Sequence, residues 1–130
     1  MPLLSLYLKY NNSERSKVVL SGAIPKQPLR LVHYNIALAA ADNNVDTLLV
    51  QLPFLNNFDV NSNFDVNDSI PIFNNPDSRQ TSSIMDLEFN PARNIDEVMD
   101  WKVYKDDGTQ YTSQNYTITL LFSYRRSDLI

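Results

Sequence analysis

Apolar and polar residues alternate along much of this chain with the period of two expected of strands that bury one face. Leu4, Leu6, Leu8 and Tyr10 alternate with Ser5, Tyr7 and Lys9, which predicts a first strand over Leu3 to Tyr10. Asn11 to Ser16 reads as a polar turn, and Lys17 to Ser21 as a short strand ending at Gly22. Beyond the connection bracketed by Pro25 and Pro28, Arg30 to Ala40 sets Val32, Tyr34, Ile36 and Leu38 on one face. Leu31, His33, Asn35 and Ala37 fall on the other. Ala41-Asp42-Asn43-Asn44 reads as a hairpin turn, after which Asp46 to Leu52 returns with Leu48, Val50 and Leu52 on one face. Pro53 ends that strand or places it at an edge.

The second half is less regular. Asn56 to Ser69 reads as a long loop around a short duplication, Asn57-Phe58-Asp59-Val60-Asn61 recurring as Asn63-Phe64-Asp65-Val66-Asn67. One repeat of this size cannot stack into a solenoid. Ile70 to Phe73 is a short strand, and Asn74 to Ser83 a polar loop. Ile84 to Phe89 alternates Met85, Leu87 and Phe89 against Asp86 and Glu88, and Pro91 breaks it. Asn94 with Glu97 resembles a capping box, which predicts one helical turn over Ile95 to Met99. Trp101 to Tyr104 is a strand followed by an Asp107-Gly108 turn. Gln114 to Tyr124 sets Tyr116, Ile118, Leu120, Phe122 and Tyr124 on one face. These elements predict an all-β chain: an antiparallel eight-stranded sandwich of jelly-roll type, with an immunoglobulin-like sandwich as the alternative.

Composition sharpens that picture. A chain of 130 residues fits a single β-sandwich domain over 1–130, and 43% hydrophobic residues can fill its core. Cysteine is absent, which removes disulfides, thiolate metal sites and thiol nucleophiles. The net charge of −4 comes from 15 acids and 11 scattered bases, with Arg125-Arg126 the one adjacent pair. Nucleic-acid binding needs clustered cations, so no such partner is expected. No stretch reaches the length of a membrane-spanning helix, and the N-terminus lacks the basic region of a secretory leader.

Candidate chemistry is sparse. His33 is the single histidine, and it lies within a strand, so neither a Ser–His–Asp triad nor a histidine metal cluster is expected. Asp59 to Asp68 offers oxygen ligands at alternate positions, as calcium requires. However, Phe64 stands where a calcium-binding loop of the EF-hand type needs glycine, and Ile70 where it needs glutamate. A solvated loop is the favoured reading, and a looser calcium loop stays open. Asp86 and Glu88 share one strand face about 7 Å apart and read as a wet surface rather than an acid–base pair. Trp101, Tyr104, Tyr111, Tyr116 and Tyr124 suit either a sugar-stacking platform or a core and subunit interface, the latter being favoured. No catalytic residue, cofactor or metal ligand is expected. Phe54, Leu55, Phe58 and Phe64 sit in a segment that does not alternate, and either fold back on the core or form an interface.

Five segments carry a resemblance. Leu48-Leu49-Val50-Gln51-Leu52-Pro53-Phe54-Leu55 is followed by Ile70-Pro71-Ile72-Phe73. Met85-Asp86-Leu87-Glu88-Phe89 then precedes Trp101-Lys102-Val103-Tyr104-Lys105-Asp106-Asp107-Gly108, and the chain closes on Ile118-Thr119-Leu120-Leu121-Phe122-Ser123-Tyr124. This order resembles the small single-jelly-roll capsid or capsid-associated proteins of large DNA viruses of protists and algae and of their virophage-like relatives. The resemblance implies a non-enzymatic structural protein of the virion, made in the host cytoplasm: a minor capsid, cement or vertex component. Its partners would be other capsid proteins and copies of itself, with a trimer favoured. It carries over no functional residues. A carbohydrate- or receptor-binding module, such as a fibre head, is the alternative function.

Overall fold

The computed structural model describes residues 3–55, 69–91 and 93–124, which form antiparallel sheets and no helix. Ten strands appear in chain order: β1 (Leu3–Asn11), β2 (Glu14–Arg15), β3 (Val18–Val19), β4 (Leu29–Leu38), β5 (Thr47–Gln51), β6 (Ser69–Phe73), β7 (Gln80–Phe89), β8 (Val98–Met99), β9 (Lys102–Lys105) and β10 (Tyr116–Tyr124). A five-stranded sheet has the order β2-β1-β10-β4-β7; a three-stranded sheet has β6-β5-β9, and β3 pairs with β8. The arrangement is sandwich-like, with the apolar faces of these sheets forming one core.

β1 follows its sequence pattern throughout. Leu4, Leu6, Leu8 and Tyr10 are buried and the residues between them are exposed. Asn12 and Ser13 both have positive φ (52° and 65°) and bring Glu14–Arg15 back against Tyr10–Asn11. That is the backbone of a two-residue type I′ hairpin, which Asn tolerates better than most residues. β1 lies beside β10, from Leu3 opposite Ser123 to Tyr10 opposite Tyr116, so the first and last strands share the middle of one sheet. At the other strong turn signal, Gly108 takes φ 87° and donates to the Lys105 carbonyl at 3.0 Å.

Several sequence expectations are corrected. β4 does not alternate from end to end: Leu29 and Leu31 point inward, then Tyr34, Ile36 and Leu38. The break is at Val32, where the registers with both β10 and β7 shift, because a bulge resets which face each residue takes. The segment expected as a hairpin after Ala40 instead carries the chain from the five-stranded to the three-stranded sheet. Asp42 organises it, accepting the Asn44 N–H on Oδ1 at 3.0 Å. No helical turn forms over Ile95 to Met99. Ile95 exchanges both backbone hydrogen bonds with Ile24 at 2.8 Å, and Asn94 Oδ1 accepts from Lys26 N–H at 2.7 Å rather than capping a helix. Finally, the strand expected from Ile84 begins at Gln80, since Gln80 to Ser83 pair with Tyr34 to Ala37 despite their polarity.

Candidate functional site

Polar side chains meet on the outer face of the five-stranded sheet. His33 stands on β4 between Leu121 of β10 and Ile84 of β7. Its Nε2 is 2.9 Å from Ser82 Oγ. That separation is what a hydroxyl nucleophile and its base require, and the sequence pattern missed it because Ser82 lay in a presumed loop. The remaining parts of a hydrolytic site are not assembled around it. No group hydrogen-bonds the imidazole Nδ1 among the described residues, so no third residue orients the ring as a base. The hydrogen bond ties two neighbouring strands together across a bulge.

Asp86 and Glu88 do share that face, with Arg30 between them at 2.9 Å and 3.8 Å. All three side chains are at least half exposed, so the pairs contribute little to stability and form no buried acid–base couple. Among the described residues no three His, Asp or Glu side chains cluster as metal ligands. No helix among them is long and apolar enough to cross a membrane.

At one end of the sandwich the aromatic residues gather. Tyr116 stacks on Tyr10 at 5.2 Å between centroids, meets Tyr111 at 5.2 Å, and takes Trp101 edge-on at 6.2 Å. Trp101, Tyr111 and Tyr116 are buried, so they form core and offer no stacking platform to a sugar. The polar tips of Trp101 and Tyr111 are satisfied internally. Tyr111 donates to Asp42 Oδ2 at 3.0 Å and accepts from Gln114 Nε2 at 2.8 Å, while Trp101 Nε1 donates to the Ser16 carbonyl at 2.6 Å. Burial, reinforced by the Asp42 carboxylate and opposed by the Gln114 amide, pushes the Tyr111 hydroxyl up to about 12. Burial raises Tyr116 further still, with the neighbouring Tyr10 adding to the effect.

Beside this cluster Asp100 receives Arg15 at 3.3 Å, Lys17 at 3.9 Å and the Trp101 backbone N–H at 2.8 Å. Burial works to raise its pKa. The bonds from Arg15 and Trp101 and the two cationic charges together outweigh that and hold the carboxyl below its ordinary value.

Of the four residues expected at an interface, Phe54 and Leu55 fold back and are buried in the chain's own core. Phe58, Phe64 and the Asp59 to Asp68 segment lie outside the described residues, as does Arg125-Arg126. The exposed apolar residues are elsewhere: Leu3, Tyr7, Val19, Phe73, Ile84 and Val98. Ile84 is 86% exposed. Its position was legible, since the alternation that half-buries Met85 and Leu87 puts Ile84 on the wet side with Asp86. No family model, characterised protein or solved structure matches this chain.

Proposed function

We propose that this chain is a non-enzymatic structural protein of a virion, a jelly-roll subunit that works by packing against copies of itself and against other capsid proteins. The strand orders support the jelly-roll reading. β2 is a two-residue extension of the β1 hairpin, and β8 and β9 can be counted as one strand interrupted at Asp100 and Trp101. Eight strands then remain. The first, eighth, third and sixth form one sheet (β1-β10-β4-β7), and the second, seventh, fourth and fifth form the other. This order supports reading the chain as the double Greek key of a jelly roll. The immunoglobulin-like alternative would set the first strand beside the second rather than beside the last.

The observation that carries the functional reading is the set of exposed apolar side chains on strands of an otherwise closed sandwich: Leu3 and Tyr7 on β1, Phe73 on β6 and Ile84 on β7. Rigid strands holding apolar residues outward suit contact with a partner subunit better than chemistry on a small molecule. The glycan-binding alternative loses support because Trp101, Tyr111 and Tyr116 face inward. A threefold homo-oligomer is the assembly that the resemblance implies, with a virion location after synthesis in the host cytoplasm. Immunoblotting of purified, protease-washed virus particles with antibody to this chain tests the reading. A fixed ratio of this chain to the main shell protein is expected; its absence from particles contradicts it.

A further inference from the structure

β1 pairs with β10 along one side, and on its other side β2 covers only the Tyr10–Asn11 end. The Ser16 N–H donates to the Lys9 carbonyl at 2.9 Å, and the Lys9 N–H donates to Ser16 Oγ at 3.2 Å. Lys9 therefore turns both backbone groups away from β10. Antiparallel ladders alternate, so Leu3, Ser5 and Tyr7 do the same. Among the described residues nothing bonds the outward N–H and C=O groups of these three.

Other margins carry protection against edge pairing. At β7, Ser78 Oγ accepts the Gln80 N–H at 3.2 Å and donates to the Gln80 carbonyl at 2.8 Å. Ser83 Oγ donates to the Ile84 carbonyl at 3.1 Å, and Asp86 and Glu88 add charge farther along. β6 has Pro71 at its centre, and β3 is two residues long. Along β9 the returning chain supplies partners, with the Lys105 N–H donating to the Thr109 carbonyl and the Tyr111 N–H to the Val103 carbonyl. β1 has none of these devices from Leu3 to Leu8: no charge, proline or glycine, and no break in its register.

We propose that a second copy of this chain pairs antiparallel along this edge, β1 against β1, about a two-fold axis at Ser5. This names one contact within the assembly reading above and rests on it; the threefold contact implied by the resemblance would use another surface. In this register the side-chain pattern matches itself. Leu3 of each copy falls opposite Tyr7 of the other on the outer face, where both are more than half exposed in the single chain. Each then covers the other as a cross-strand pair, with the small Ser5 at the axis between the two pairs. The three outward residues exchange about six backbone hydrogen bonds. Charge fits a second copy too. A chain of net charge −4 meets itself best where neither strand is charged, and Leu3 to Leu8 is such a stretch. Pairing stops beyond Tyr7 because Ser16 already holds Lys9. The contact is small, so the association is weak and concentration-dependent.

Sedimentation equilibrium of the full chain, with edge variants, tests this. The wild type is expected to associate reversibly, with a dimer among its species. Ser5→Pro removes an N–H that β10 does not use, and Tyr7→Lys replaces the apolar contact with a charge. Each should raise the concentration for half-association at least tenfold with unchanged circular dichroism, while Ile84→Lys on the β7 margin should not. Because the chain has no cysteine, Ser5→Cys gives a single thiol. Two facing residues of a hydrogen-bonded pair hold their Cα atoms about 5.5 Å apart, within disulfide reach. Oxidised glutathione should therefore cross-link Ser5→Cys to itself and leave Ser82→Cys uncrosslinked. Two outcomes overturn the edge pairing: a wild type that is monomeric throughout, or an oligomer indifferent to both Ser5→Pro and Tyr7→Lys with no cross-link through Ser5→Cys. The second leaves the assembly reading standing on another surface. The first does so only if the chain is recovered in virus particles.

Discussion

The Tyr34 hydroxyl donates to the Phe73 carbonyl at 3.1 Å and accepts the Phe73 N–H at 3.2 Å, so one side chain of β4 satisfies both backbone groups of a residue on β6. Tyr34 belongs to the five-stranded sheet and Phe73 to the three-stranded one, which makes this a polar tie between the two layers. Tyr34→Phe keeps the ring in the core and removes both bonds. It should cost about 1–2 kcal/mol, read as a lower urea midpoint at unchanged slope. An unchanged midpoint would mean the tie contributes nothing to the packing of the layers.

Acid should loosen the end of the sandwich where Arg15 and Asp100 meet. The Asp100 carboxyl titrates below its ordinary 3.8 in the folded chain. The stability from this group is therefore present above that value and lost as pH falls through the folded pKa. Asp100→Asn should lower stability at neutral pH and flatten the acid limb of the stability profile. A profile of unaltered shape in that variant would contradict the assignment.

Alkali acts at the same end through Tyr111 and Tyr116, with the opposite sign. Both hydroxyls titrate above the ordinary 10.0 because burial disfavours the phenolate. Their contribution is complete below pH 10, and declines as pH rises toward and through the folded values, about 12 for Tyr111. Ultraviolet titration should show these two tyrosines ionising late, together with loss of structure. Smooth ionisation of all seven tyrosines near pH 10 in a folded chain would contradict it.

Much of the fold was legible where a strand has one wet and one dry face. β1 and β10 follow their alternation to the residue, because each lies inside a sheet with one side on the core. The pattern failed where that condition fails. In β5, Leu49 and Gln51 are buried along with Leu48 and Val50, so no wet face marks its phase. At Val32 a bulge inverts the faces, and composition gives no sign of it. Gln80 to Ser83 form strand because β4 supplies a ladder, a tertiary cause that local polarity conceals. Ile95 is drawn into pairing with Ile24 in the same way, against the capping signal of Asn94. The surface was partly legible: alternation marks Ile84 as outward, but its place on an edge strand depends on the strand order.

The His33–Ser82 contact should be structural. His33→Ala removes one hydrogen bond on a solvent-facing surface and should cost no more than about 1 kcal/mol, with self-association intact. Assay of the wild type against activated esters should give no turnover that depends on this residue. Hydrolysis abolished by His33→Ala would overturn the non-enzymatic reading.

The central claim is that this chain works by associating with copies of itself, and its mass in solution tests that most directly. Sedimentation equilibrium from nanomolar to high micromolar concentration should show a reversible rise to a multiple of the 14.9 kDa chain, threefold being the multiple that the resemblance implies. A single species at the monomer mass across the whole range would contradict it.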